Sequence, residues 1–259
     1  MAEETGSLAV FIDFENLALG FRGKKKRTFE IKKVLERLVE KGKIVVKKAY
    51  ADWGRFSEYT RPLHEEGIEL IEIPHRSQTG KNSADIRLCV DAMDLAWAKE
   101  HITSFVIVSG DSDFSPLVSK LKENGKHVIG LGMKESTSDM LRDSCDEFIY
   151  YEDIERGRTA PVKLQSEGLS ERQREAFSIL MESIAALIRE NKEILWPSMI
   201  KSTIRRKRPV FDESYYGYRT FSALLEDAQK HGLLELRTDP RRGSYVVPDL
   251  GKDSREQER

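Results

Sequence analysis

The chain has 259 residues, 39% hydrophobic and 34% charged, and its 43 basic and 44 acidic residues leave a formal net charge of -1. That balance excludes an intrinsically disordered chain, which would be poor in apolar residues or strongly charged, and leaves attraction to any polyanion to local patches. No apolar run approaches the roughly 20 residues that span a bilayer, and the start MAEETGSLAVFIDF has acids where a secretory signal carries bases, so a cytoplasmic protein is expected, with Cys89 and Cys145 as reduced packing thiols.

Six β-rich runs open the chain: LAVFI at 8–12, IVVKKAY at 44–50, IELIEI at 68–73, FVIVS at 105–109, HVIGL at 127–131 and EFIYY at 147–151. Helical patterns fill the gaps. The clearest is 84–99, where Ile86, Val90, Met93 and Trp97 recur at three- to four-residue or helix-compatible spacing, with Leu88 and Leu95 widening the stripe, which predicts that this face is buried. Strands alternating with helices imply right-handed crossovers and a mostly parallel sheet covered on both faces, so residues 1–152 are expected to form one α/β domain. The polar stretch DIERGRTAPVKLQSEG at 153–168 suits a linker. Beyond it, Ala176, Phe177, Ile179, Leu180, Ile184, Leu187 and Ile188 form the stripe of a first helix. SMIKSTIRRK predicts a second helix, YRTFSALLEDAQKHG a third that stops at Gly232, and LLELRT and GSYVVP two strands around a DPRRG turn. Three helices closed by a hairpin make 169–248 a small winged helix-turn-helix domain, followed by a frayed tail at 249–259.

In an open parallel sheet, residues just beyond the carboxyl ends of the strands converge on one rim, near the point where strand order reverses. Asp13 follows LAVFI, Asp111 and Asp113 follow FVIVSG, and Asp85 starts the long amphipathic helix, so all four are expected in one crevice. Asp113 has an alternative role as a helix cap and Asp85 as a first-turn acid that complements the helix dipole. Asp13 has no adjacent base, so its repulsion from Asp111 and Asp113 asks for a cation between them. Oxygen-only ligands favour Mg²⁺ or Mn²⁺ over zinc, and such an ion suits hydrolysis of a phosphodiester. Asn16 is placed to orient a ligating water or carboxylate, and Lys81 to meet a phosphate oxygen, although either is also compatible with a solvated loop position. Asp91 stands too far around its helix for more than a supporting role, and Trp53 either lines the crevice and stacks on a base or packs in the core.

The segments VFIDFENL at 10–17, GKNSADIRLCVDAMDLA at 80–96, VIVSGDSDFSPLVSKLKENGKHVIGLG at 106–132 and SCDEFIYYEDI at 144–154 together resemble the NYN domain, a relative of PIN-like ribonucleases, and its bacterial LabA-like group in particular. The resemblance implies a three-layer PIN-like sandwich, in which the acids matched by Asp13, Asp85, Asp111 and Asp113 bind Mg²⁺ or Mn²⁺ and cut RNA, with Asn16 in the same pocket. The second domain resembles the OST-HTH or LOTUS module, chiefly through residues 209–248, which implies RNA binding, with a protein partner as the alternative. Arg205, Arg206, Lys207 and Arg208 form one basic run at a helix end, and Arg241 and Arg242 occupy the wing tip, positions suited to phosphate contacts, to offsetting the helix dipole or to keeping the hairpin soluble. Tyr215, Tyr216 and Tyr218 are available either for stacking on bases or for the core. The leading expectation is a metal-dependent endoribonuclease with a C-terminal RNA-binding module. The rivals are a non-catalytic RNA-binding or regulatory adaptor on the same fold, and a DNA-directed nuclease or phosphatase.

Overall fold

Seven residues of almost uninterrupted apolar character, SLAVFID, make a strand that only a sheet covered on both sides can bury, and β1 (Ser7–Asp13) is such a strand, buried from Leu8 to its end. This computed structural model describes residues 6–21, 29–73, 83–156, 169–190, 194–238 and 245–247. They belong to two compact units, residues 1–158 and 159–259. After β1 the first unit continues through α1 (Phe14–Phe21), α2 (Ile31–Lys41), β2 (Lys43–Ala51), α3 (Ser57–Glu65), β3 (Glu69–Glu72), α4 (Ser83–Ala98) and β4 (Ile102–Val108). It ends with α5 (Ser115–Glu123), β5 (His127–Gly132), α6 (Asp139–Ser144), β6 (Glu147–Tyr150) and α7 (Tyr151–Arg156).

All six expected strands form, and they pair in parallel in the order β3-β2-β1-β4-β5-β6. The chain therefore winds outward from β1, returns, and winds outward again from β4, and the two central neighbours mark the switch point. Alternation along the strands builds two cores. Leu8, Val10, Ile12, Val106 and Val108 pack with residues of α1, α2 and α3 and with Tyr151, while Ala9, Phe11, Phe105 and Ile107 pack with residues of α4, α5 and α6. The expected three-layer sandwich is the observed one.

One helix is rotated relative to expectation. In α4 the buried positions are Leu88, Ala92 and Ala96, while Ile86, Val90 and Trp97 are 63%, 58% and 73% exposed. Of the predicted stripe, Leu88 is buried as expected and Met93 and Leu95 lean on the core. Two alanines let the helix approach the sheet closely, where a bulky stripe would hold it off. Asp91 fixes the rotation, because it accepts a hydrogen bond from the Tyr50 hydroxyl at 2.9 Å and pairs with Lys48 of β2 at 3.3 Å and with Arg87 at 2.9 Å.

At the other end of the unit Tyr151 leaves the sheet and starts α7, its ring fully buried and its hydroxyl accepting from the backbone N–H of Glu30. The first residues assigned to the linker, up to Arg156, are therefore helical; 157–168 lie outside the described residues. Both cysteines are free thiols, and burial pushes each up to about 11, which keeps them protonated.

The second unit holds α8 (Glu171–Arg189), α9 (Pro197–Lys207), α10 (Phe221–Lys230), β7 (Arg237–Thr238) and β8 (Tyr245–Val246). Ser170 and Gln173 close a reciprocal capping box at the start of α8, and the Thr220 hydroxyl accepts from the Ala223 N–H at the start of α10. The α8 stripe is buried as predicted except for Ile188, which is 40% exposed. Gly232, with φ +72°, ends α10 as expected, since an L side chain is strained there. β7 and β8 pair antiparallel, β7 being shorter than predicted, and an isolated bridge joins Leu195 to Val247; the DPRRG turn and the ends of the second predicted strand lie outside the described residues. A short 3-10 turn, Glu213–Tyr216, capped by Asp212 and closed by Gly217, precedes α10 where no element was expected. Among the described residues no helix is long and apolar enough to cross a membrane.

Candidate functional site

Strand parity aims the acids. Asp13 continues the series Ala9, Phe11 along β1, and Ser109 continues Phe105, Ile107 beyond β4, so both side chains project toward the α4 layer at the point where the central strands diverge. Asp85 enters the same space from the first turn of α4.

A short hydrogen-bond chain locks the two strand ends together. Ser109 Oγ donates to Asp13 Oδ2 at 2.9 Å and accepts from the Asp111 N–H at 3.2 Å. The other Asp13 oxygen accepts from the Asn16 N–H at 3.2 Å, and Asn16 Oδ1 accepts from the Gly110 N–H at 2.9 Å. Gly110 admits no side chain, because a Cβ there would sit 2.4 Å from the Ser136 carbonyl oxygen. Asp111 Oδ1 accepts from the Asp113 N–H at 3.0 Å, so the cap of the following turn is Asp111, and Asp113 stands exposed at the rim instead of filling that role.

These carboxylates oppose one another. Burial above all, with Asp85 and Asp111 adding to it, pushes the Asp13 carboxyl up to about 7 against the hydrogen bonds from Ser109 and Asn16, which lower it. Burial likewise pushes Asp85 up to about 6, with Asp111, Asp113 and Glu15 adding to it. Glu15, which sequence reasoning missed, is held beside the site by the Asp52 N–H at 3.1 Å and Arg55 at 3.6 Å. A hard cation would relieve this conflict, and oxygen-only donors are its preferred ligands. Among the described residues no group of three or more His, Cys, Asp or Glu side chains is placed to hold a metal ion as it stands. An ion of the Mg²⁺ kind, which keeps several waters and takes one or two carboxylates, asks for no such group.

Of the residues singled out in the sequence, the structure brings together Asp13, Asn16, Asp85 and Asp111, with Asp113 at the edge. Lys81, Arg241 and Arg242 lie outside the described residues. Trp53 belongs to the core: it is 7% exposed, packs on Phe14 and donates its indole N–H to the Ile71 carbonyl at 3.1 Å. Asp91 is the tether of α4, away from the acids.

In the second unit the basic run divides. Arg205 and Arg208 are exposed, Arg206 is half-buried with a hydrogen bond to Thr203, and Lys207 is nearly buried and ion-paired with Glu182 at 3.0 Å. Tyr218 is core, its hydroxyl donating to Asp227 at 2.7 Å, whereas Tyr215 is 61% exposed beneath the Arg172 guanidinium, 5.1 Å from its ring centre.

Comparison with known proteins agrees with this architecture. The NYN domain profile matches residues 7–154, and the OST-HTH/LOTUS domain profile matches residues 177–246. An uncharacterized protein of Methanocaldococcus jannaschii is 27% identical over 142 residues, 55% of this chain and 54% of its own length, so the chain spans about half of that relative. The crystal structure of a protein of unknown function from Vibrio parahaemolyticus superposes with a TM-score of 0.52 at 24% identity, covering 60% of this chain and 98% of that one, which shows a shared fold. The chain thus belongs to the NYN family, within the PIN-like nuclease superfamily, and carries an OST-HTH/LOTUS domain behind its NYN domain.

Proposed function

We propose that the protein is a metal-dependent endoribonuclease whose second unit binds RNA and whose acidic crevice cuts it. The observation that carries this reading is the buried Asp13 carboxyl at the switch point, held by Ser109 and crowded electrostatically by Asp85 and Asp111. A buried structural acid would be matched to a base; Asp13 has its two hydrogen bonds but no basic partner among the described residues. This one faces other acids, an arrangement suited to a cation and to a phosphodiester brought to it. Asp13, Asp85, Asp111 and Asp113 are the residues that would hold Mg²⁺ or Mn²⁺, which supplies an activated water and neutralises charge on the phosphate as its bond breaks. Ser109 and Asn16 keep Asp13 and the loop carrying Asp111 in fixed relation. The backbone of that loop is pinned in turn through Gly110 and Ser138, whose N–H donates to the Gly110 carbonyl at 2.9 Å.

RNA as the substrate rests on the family and on the second domain. Its exposed Arg205, and Arg208 beside Glu182 at 3.9 Å, are the members of the basic run open to phosphates. That no three such side chains among the described residues are placed to hold an ion supports a second reading, an RNA-binding adaptor that does not cut. One assay separates the two. Single-stranded and hairpin RNAs are incubated with Mg²⁺ or Mn²⁺ and the parent, Asp13→Asn or Asp111→Asn protein. The expected loss in each variant exceeds the roughly 10- to 100-fold that follows removal of an outer-shell partner of a metal. Equal activity in all three would leave the adaptor.

A further inference from the structure

Beside the acids runs an open groove between α4, the start of α5 and α6, with Asp85 and Asp113 at its edge. Its walls include Ile86, Val90 and Met140, which are 63%, 58% and 65% exposed although each is large and apolar. Ser115 also lines it, with a buried hydroxyl that has no hydrogen-bond partner, and among the described residues the lining contains no lysine or arginine.

Building on the nuclease reading, we propose that this groove seats an unpaired nucleobase of the RNA, next to the phosphate delivered to the acids. A phosphate has nothing to attract it here, since the charged groups of the lining are carboxylates. A bare ribose offers little apolar surface to Ile86, Val90 and Met140. A base presents flat apolar faces to those side chains and a polar edge to serine hydroxyls, Ser115 among them. Asp85 and Asp113 belong both to the groove and to the acidic set, so base and scissile phosphate come from adjacent positions of one strand. A base stacked inside a duplex cannot enter, which makes single-stranded or looped RNA the substrate class. Trp97 continues the Ile86 and Val90 stripe about 10 Å further along α4, outside the groove, where a second copy of the chain would also find an apolar surface.

The test is an abasic scan. RNA decamers with one base removed at each successive position are cut by the full-length parent and by an Ile86→Ser/Val90→Ser variant, whose substitutions fall on exposed positions and leave both cores intact. In the parent, removal of one base near the cut should raise KM by about 5- to 150-fold, the range for losing one stacked base. The variant should show no such difference, and annealing the decamer to its complement should suppress cleavage by the parent. Insensitivity of the parent to every abasic position would overturn the base site and leave the nuclease standing. So would a parent-like abasic penalty in the variant, with or without a shift from dimer to monomer by light scattering; the shift would assign the face to a second copy. Failure to cut any RNA would remove the nuclease reading and this one with it.

Discussion

Asp13 is where a strand, a helix and a loop meet, and its chemistry follows from that position. Because burial raises its carboxyl from 3.8 to about 7, its contribution to the stability of the metal-free protein is fully present below the unfolded value and is lost as pH rises toward 7. Asp13→Asn has no such titration. In metal-free buffer the variant should therefore gain on the parent between pH 4 and pH 8 in denaturant unfolding, and a difference that stays flat over that range would contradict the burial argument. Asp13 and Asp111 were legible in the sequence because an acid directly after an apolar run must sit at the rim of a parallel sheet. The part played by Ser109 was not, since its hydrogen bond to Asp13 crosses between strands 96 residues apart. Nor was the capping of the turn by Asp111, which depends on where the turn begins.

The elements divide by how many faces they bury. Strands covered on both sides read as short, nearly continuous apolar runs, and all six were found within a few residues. Helix α4 carries two apolar stripes, one bulky and one small, and periodicity alone favours the bulky one. Packing chose the other, with Ala92 and Ala96 against the sheet and Asp91 as the anchor. Asp91→Ala should cost about 1–3 kcal/mol in chemical unfolding, because the buried Tyr50 hydroxyl loses its acceptor. Burial works against the Asp91 charge, but the hydrogen bonds and charges of Tyr50, Lys48 and Arg87 outweigh it and hold the carboxyl below 3.8. The stability it adds is thus present above that value and disappears as pH falls through the lowered one, so the gap between parent and variant should close in acid. A gap independent of pH would mean that the helix is held by packing alone. In the second unit the helices were legible from their caps and stripes, while the first strand of the hairpin was overestimated because LLELRT has strand composition along its whole length.

At the scale of the whole molecule, the acidic crevice and the basic run at the end of α9 belong to different units of one chain, which neither composition nor net charge reveals. Lys207 is engaged by Glu182, and Arg205 and Arg208 are the exposed members of the described run. Neutralising Arg205, Arg206, Lys207, Arg208, Arg241 and Arg242 together should weaken RNA binding and flatten its dependence on salt, by about 0.7 in log–log slope for each phosphate of a single strand that is no longer neutralised. An unchanged slope would point the second unit toward a protein partner. For the crevice itself, the most direct measurement is a crystal of the full chain soaked in Mn²⁺, with anomalous data collected from a preparation that has been assayed on RNA. The expected result is a manganese peak against Asp13 and at least one of Asp85 and Asp111, in protein whose cleavage is lost with Asp13→Asn. Cleavage by a preparation that shows no peak among these acids would contradict it.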